Sequence, residues 1–244
     1  MQVLVCMEAS GAIRSRLRDA GHDAYSCDFR ASYDNSPHHF IGDAFDLAGA
    51  GWDALIFHFD CTYHAVSGAW AFNDPDFVRY PGVGYHQKPG PDTLTGQARR
   101  EARERAELDW HRMDELTARV PIRIWENPLG TIWSRWKPYT QIVQPYQHGD
   151  DASKATGLRI EGLPPIPVDP AKYVKPRLVC KHCKGVFPWG LEDCPYCGSE
   201  EYLPRWANQT DSGQNRLGPK DGRAMERSNT YPGIAKAIVT HLSK

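Results

Sequence analysis

Residues 2–29 read QVLVCMEASGAIRSRLRDAGHDAYSCDF, and this stretch decides the fold class. QVLVC (2–6) is a short, nearly continuous apolar run, the pattern of a strand buried on both faces. From Gly11 to Ala20 the pattern changes to a helical period, with Ile13 and Leu17 on one face. Gly21 then closes the helix as a glycine just past a helix end does. DAYSCDF (23–29) returns to a strand. A short segment leads to Asp43, and WDALIFHF (52–59) is a further strand.

Beyond it, 68–96 is rich in Gly, Pro, Asp and aromatics and reads as an irregular loop. Residues 99–119 form a long charged helix, with Ala106, Leu108 and Met113 among its few apolar positions. IRIWEN (122–127) and GLRIEGL (157–163) are strands, and YPGIAKAIVTHL (231–242) is a closing helix. Strands alternating with helices predict an α/β protein whose sheet is Rossmann-like, doubly wound and mostly parallel. Such sheets bind ligands at the carboxyl ends of their strands, so the residues just after each strand are the candidates.

Composition bounds the partners. Lys and Arg number 29 against 30 Asp and Glu, a net charge of −1, so any nucleic-acid surface has to be local. No apolar run of about 18 residues occurs, which argues against a membrane span. The opening Met1 followed directly by a strand, without a basic leader, points to a protein that is not secreted. Seven cysteines, four of them in two C-x-x-C pairs, fit a reducing cytosol with metal and free thiols rather than disulfides.

Cys180, Cys183, Cys194 and Cys197 read C-K-H-C, ten residues, C-P-Y-C. Each pair offers two sulfurs to one metal, and four thiolates in a closed tetrahedron suit a structural Zn²⁺. His182 is then a bystander. Gly185 and Gly198 fit the tight turns of the two knuckles. The expected division is a main domain from 1–163 and 206–244, with a linker and zinc ribbon in 164–205. Lys172, Lys175, Arg177, Lys181 and Lys184 around the ribbon could contact phosphates or form a solvated basic face. Arg205, Arg216, Arg223 and Arg227 are further candidates for reading bases, against a default of scattered solvated charges.

Two features carry chemistry. WDALIFHF runs into Phe59-Asp60-Cys61-Thr62, which places a thiol at a strand's carboxyl end. IRIWEN ends at Trp125-Glu126-Asn127-Pro128, which does the same for a carboxylate, either a buried acid with raised pKa or a cap. Asp28 and Asp43 are cofactor ligands or turn residues that cap the next helix. His58 reads as a core-edge histidine. His64 could activate Cys61 or lie on the loop surface. Trp133 and Trp136 could stack on a base or pack the core. The run 99–107 of alternating Arg and Glu is a salt-bridged helix face.

In order, these features resemble the cytosine-C5 DNA methyltransferases, in the style of a compact bacteriophage branch. The resemblance rests on Glu8-Ala9-Ser10-Gly11, Asp28, Gly42-Asp43, Cys61 with Ser67-Gly68, Glu126-Asn127-Pro128, the stretch 149–159, and Ser228-Asn229-Thr230-Tyr231. It spans about residues 3–163 and 206–242 and leaves the ribbon outside. It implies transfer of a methyl group from S-adenosylmethionine to C5 of cytosine in DNA, with the target base flipped from the duplex. Cys61 would add to C6, and Glu126 would bind or protonate N3. Ser10, Gly11, Asp28, Asp43 and Asn229 would hold the cofactor; Asp60, Asn127 and Lys154 would face the substrate. No protein partner is implied.

Asp60 stands where the family has a proline, and its charge is expected to raise the thiol's pKa. Glu8 stands where the family has an aromatic residue. Of the family's basic motif, Ser153-Lys154-Ala155-Thr156 keeps only Lys154. Two further readings stay open: C5 modification of a free nucleotide or with a variant one-carbon donor, and a catalytically silent nucleic-acid-binding protein on the same fold.

Overall fold

The structure, a computed structural model, describes residues 1–73, 92–217 and 229–244. The chain builds β1 (Gln2–Cys6), α1 (Ala12–Asp19), β2 (Asp23–Asp28), β3 (His39–Ile41), α2 (Ala44–Ala48) and β4 (Ala54–Phe57). A 3₁₀ turn (Val66–Phe72), α3 (Gly96–Leu116), β5 (Ile122–Pro128), α4 (Ile132–Arg135) and β6 (Gln141–Val143) follow. The chain then forms β7 (Thr156–Glu161), β8 (Arg177–Cys180), β9 (Val186–Pro188), β10 (Tyr202–Arg205) and α5 (Pro232–Leu242).

Seven strands form one sheet in the order β3-β2-β1-β4-β5-β7-β6. Strands β1 to β5 are parallel, while β7 runs antiparallel to both β5 and β6. The sheet is α/β, mostly parallel and consistent with a Rossmann-like fold. After β3 the chain crosses back to the far side of β1, so the order reverses between β1 and β4. A crevice opens at the carboxyl edge there. The antiparallel course of β7 matters for the same edge. Residues just before it sit beside the carboxyl end of β5, where Thr156 pairs with Pro128.

Side chains alternate between two buried layers, as a strand period of two requires. Val3, Val5, Ile56 and Ile124 pack with Ile13 and Leu17 of α1 and with Ile234 and Ile238 of α5. Leu4, Cys6, Leu55, Phe57 and Trp125 pack on the other face with Trp110 and Met113 of α3. Leu108 does not join them; it is 60% exposed, and the buried face of α3 is Arg99, Ala102, Trp110 and Met113. Stacked rings (Phe59 on Trp110 at 4.5 Å, Phe57 on Trp125 at 4.0 Å) continue this layer up to the residue before Asp60-Cys61. Trp133 and Trp136 belong to the same aromatic cluster, which makes them core rather than base-stacking residues.

The cysteine segment folds into a separate three-stranded antiparallel sheet, β10-β8-β9. Its own core is small: Leu178, Cys180, Phe187 and Cys194, with Tyr202 against them. The preceding linker is not wholly detached. Ile166 lies in the main core, and its N–H and C=O bond to the Gln141 side-chain amide. After β10 the chain docks on the main body through Trp206, stacked on Tyr146 at 4.1 Å. Among the described residues no helix is long and apolar enough to cross a membrane.

Candidate active site and metal centre

A cavity of about 920 Å³ opens over the carboxyl ends of the central strands. Its walls come from the turn after β1 (Glu8, Ser10), the ends of β2 and β3 (Asp28, Arg30, Asp43) and the exit of β4 (His58, Asp60, Cys61). Glu126, Pro128, Lys154, Asn229 and Thr230 complete it. Residues widely separated in the chain thus meet there, and they include most of those singled out from sequence. Gly11 and Asn127 do not line it. Ser228, together with Arg223, Arg227 and most of the loop at 68–96, lies outside the described residues.

The first turn is organised by Glu8. Its carboxylate accepts hydrogen bonds from the N–H groups of Ile13 (2.8 Å) and Arg14 (3.4 Å), and Ser10 Oγ donates to it at 3.3 Å. A buried carboxylate therefore caps α1 and occupies its positive end. Gly11 has φ +69°, and a Cβ there would collide with the Arg14 guanidinium, which ion-pairs with Asp34. Its role is to let the turn close around Arg14.

Asp28 accepts from the N–H and Nε of Arg30 at 2.9 and 3.0 Å and from its Nη2 at 3.1 Å. Burial works against its charge, but the Arg30 bonds hold the carboxyl below its usual range. Asp43 caps α2 through the N–H of Phe45 at 3.0 Å while facing the cavity. Asp43 is thus a helix cap and Asp28 a brace for Arg30, and both line the cavity.

The Cys61 loop is held from three sides. Asp60 accepts from the N–H and Oγ1 of Thr62 at 2.9 and 2.6 Å, a turn that stiffens the chain at the thiol. Asn127 donates to the Phe59 carbonyl at 2.8 Å, so it braces the loop from behind. Arg99, read from sequence as a surface charge, is buried and donates to the Thr62 carbonyl at 2.5 Å. His64 is not a surface residue, and its Nδ1 is turned to Thr131. It is 1% exposed, bonds Thr131 Oγ1 at 3.3 Å, and burial drives its pKa down to about 4.

Among the described residues, Cys61 is the thiol at this edge that is partly exposed in the cavity wall. Cys27, which also lines the cavity, donates to the Gly42 carbonyl, and burial with neighbouring aspartates lifts it to about 11. Burial and then the Asp60 charge raise the Cys61 thiol as well, with Glu126 adding to the rise and Lys154 opposing it. Asp60→Asn keeps an oxygen for Thr62 and removes the charge. Peptide-resolved alkylation of Cys61 by iodoacetamide should then run several-fold faster near neutral pH, its titration moved to lower pH. An unchanged profile would show that Asp60 does not hold the thiol up.

The sequence reading of His58 as a core-edge histidine rather than a base leaves its partner out. Its Nδ1 lies 3.1 Å from Glu126 Oε2, and both side chains face the cavity. Glu126 is not raised: despite burial, the hydrogen bond and charge of His58 and the charge of Lys154 lower its pKa. Their partnership spans 68 positions in the chain, a distance that no local pattern reports. Asn208 was missed for the same reason. Its side-chain amide exchanges hydrogen bonds with the N–H and C=O of Ser153, both 2.9 Å, which sets the segment carrying Lys154.

The four cysteines converge. Their Sγ atoms lie within 4.8 Å of one another, with Cys180–Cys197 at 3.6 Å and Cys183–Cys194 at 3.5 Å. A tetrahedron of 2.3 Å metal–sulfur bonds has edges of about 3.8 Å, so the group could hold a zinc ion. The N–H groups of Cys183 and His182 point at Cys180 Sγ and hold its thiol down at about 6. Gly198 takes φ +71° in the second knuckle as expected. In the first, the left-handed residue is Lys184, and Gly185 is needed because the Tyr196 ring packs against it. Arg177 is committed to the carbonyls of Trp206 and Gln209 and to Asp211. Arg205 and Arg216 likewise bond backbone carbonyls. These three arginines tie the ribbon's base together.

The site's class is a thiol and a histidine-paired carboxylate at the switch point of a Rossmann-like sheet. In comparison with known proteins, no protein-family profile matches the chain and no curated protein matches it.

Proposed function

We propose that the protein is an S-adenosylmethionine-dependent methyltransferase acting on C5 of cytosine in DNA, as its resemblance to the cytosine-C5 family implies. The observation that carries the reading is the convergence of Cys61, Glu126 and Lys154 on one cavity with Ser10, Asp28, Asp43 and Asn229.

The wall chemistry fits such a cofactor. Dinucleotides and phosphates seat on free N–H groups at the first helix, and here Glu8 has taken those groups. A wall carrying the carboxylates of Glu8, Asp28 and Asp43 instead suits a ligand that brings hydrogen-bond donors rather than phosphates, and the volume accommodates a nucleoside-sized molecule beside a base. When bound, S-adenosylmethionine would supply the electrophilic methyl group. Asp28, shared with Arg30, would take the ribose hydroxyls; Asp43 would accept from the adenine amino group, and Asn229 would close over it.

Cytosine C5 is a weak nucleophile until a thiolate adds to C6. Cys61 forms that bond, Lys154 favours its ionised form, and Glu126 bonds N3. Asp60 would accept from the exocyclic amino group. The base must leave the duplex to enter the cavity. A structural zinc at the four cysteines would hold the ribbon rather than enter the chemistry.

The raised thiol pKa favours a second reading, a silent nucleic-acid-binding protein on the same fold. DNA from expressing cells, digested to nucleosides and examined by mass spectrometry, should contain 5-methyldeoxycytidine. Purified protein should methylate duplex DNA in preference to dCMP; the reverse preference would make a free nucleotide the substrate, and another C5 substituent would indicate a different one-carbon donor. Unmodified deoxycytidine, with no calorimetric heat at millimolar S-adenosylmethionine, would replace the enzyme by the silent protein.

A further inference from the structure

The pairing of His58 with Glu126 answers a problem of proton supply in that reaction, and its assignment rests on the cytosine reading. N3 of neutral cytosine presents a lone pair, so a bare carboxylate facing it is repelled. The group that meets N3 has to bring a proton with it. Glu126, bonded at 3.1 Å to His58 Nδ1 and only 15% exposed, is held as the carboxylate. It has no proton of its own to give.

We propose that His58 is the proton donor behind Glu126, a positioning residue that turns the carboxylate into the acid that cytosine N3 requires. At rest the mobile proton sits on Nδ1 of the imidazolium. As Cys61 sulfur bonds to C6, the C5–C6 π pair moves to C4–C5 and the C4–N3 π pair moves onto N3. The Glu126 carboxylate takes the proton from His58 Nδ1 and passes it to N3, so the carboxylate is regained and His58 is left neutral with its proton on Nε2. Once C5 has taken the methyl group, the N3 pair re-forms the C4–N3 double bond and the N3 proton returns through Glu126 to His58. A solvent base then takes the C5 proton, and that C–H pair forms the C5–C6 double bond as the thiolate leaves.

The surroundings support the charged resting pair. Facing His58 are Glu126 from β5, Glu8 from the turn after β1 and Lys154 from the segment before β7. Burial opposes the imidazolium, Glu126 and Glu8 favour it and Lys154 opposes it, with the balance above the ordinary imidazole value. Among the described residues Nε2 is buried without a hydrogen-bond partner, so Glu126 is the acceptor the ring meets there. Because the imidazolium is the working form, the rate falls as pH rises through the titration of the pair.

The test compares His58→Asn with the parent in forming the covalent adduct with 5-fluorocytosine duplex DNA across pH. Asn preserves a donor to Glu126 and has no proton to release. The rate at neutral pH should fall about 10²-fold, with apparent DNA affinity changed by less than about twofold. The falling limb should move to lower pH, because only protonation of Glu126 itself then serves. A uniform loss with an unmoved limb would make His58 a structural brace and overturn the proposal. NMR of the parent gives a second readout that needs no activity. The His58 imidazole should titrate above free histidine and drop in Glu126→Gln; a ring already neutral in mildly acidic buffer overturns the relay even if adducts form. An imidazole that titrates as expected in a protein that forms no adduct at any pH sinks the cytosine reading, and the relay with it.

Discussion

Cys61→Ser should abolish covalent capture of DNA carrying 5-fluorocytosine and reduce methyl transfer by on the order of 10³-fold or more. Fluorine at C5 cannot be removed as a proton, so an adduct that forms stays closed and is seen as a slow band on a denaturing gel. Serine keeps the loop, since what holds it is Asp60 on Thr62, Asn127 on Phe59 and Arg99 on Thr62. Substrate and cofactor binding should therefore survive while bond formation is lost. Serine's hydroxyl is a far weaker nucleophile than a thiolate, and the two nearby histidines are engaged elsewhere, His64 with Thr131 and His58 with Glu126. A variant with full activity would remove Cys61 from the mechanism.

Stripping the metal, or replacing Cys194 by alanine, should unfold β8 to β10 while leaving the seven-stranded sheet intact. The ribbon buries too little apolar surface to stand alone; among the described residues of β8 to β10, Leu178, Val179 and Phe187 are its buried apolar side chains besides Cys180 and Cys194. A structural zinc contributes about 10–16 kcal/mol of apparent binding free energy in small metal-folded units, which far exceeds what that core can supply. Hydrogen exchange should show amides of 177–205 losing protection on chelation, with those of 2–57 unchanged, and elemental analysis of the native protein should find stoichiometric zinc. Retained protection in the stripped ribbon would mean that its strands, not the metal, hold it. Activity should fall too. Arg177 bonds the carbonyls of Trp206 and Gln209, and Asn208 between them orients Ser153 beside Lys154.

The legible parts of the fold were those written in local pattern. Apolar runs such as VLV at 3–5 and ALIF at 54–57 announce strands that helices cover on both sides, and their ends mark the functional edge. Other strands were illegible for definite reasons. Strand β3 is three residues long and mostly solvent-facing; β6 owes its existence to its neighbour β7; nothing local says that β7 runs against β5. The site shows the same division. Residue type and position after a strand pointed to Cys61, Glu126, Asp28 and Asp43. The difference between touching the cavity and bracing it from behind, as at Gly11 and Asn127, depends on which way a side chain turns in three dimensions. His58, Asn208 and Arg99 act through partners far along the chain, and a single sequence carries no sign of such pairings.

The ribbon's attachment has a consequence for how such a chain can change. Arg177 and Arg205 lie opposite each other where β8 and β10 pair, so the polypeptide enters and leaves the ribbon through a single seam. Anything grafted between those two points inherits the same doorstep, and the cavity at the sheet's edge need not be rebuilt to receive it. One scaffold can thereby carry different heads.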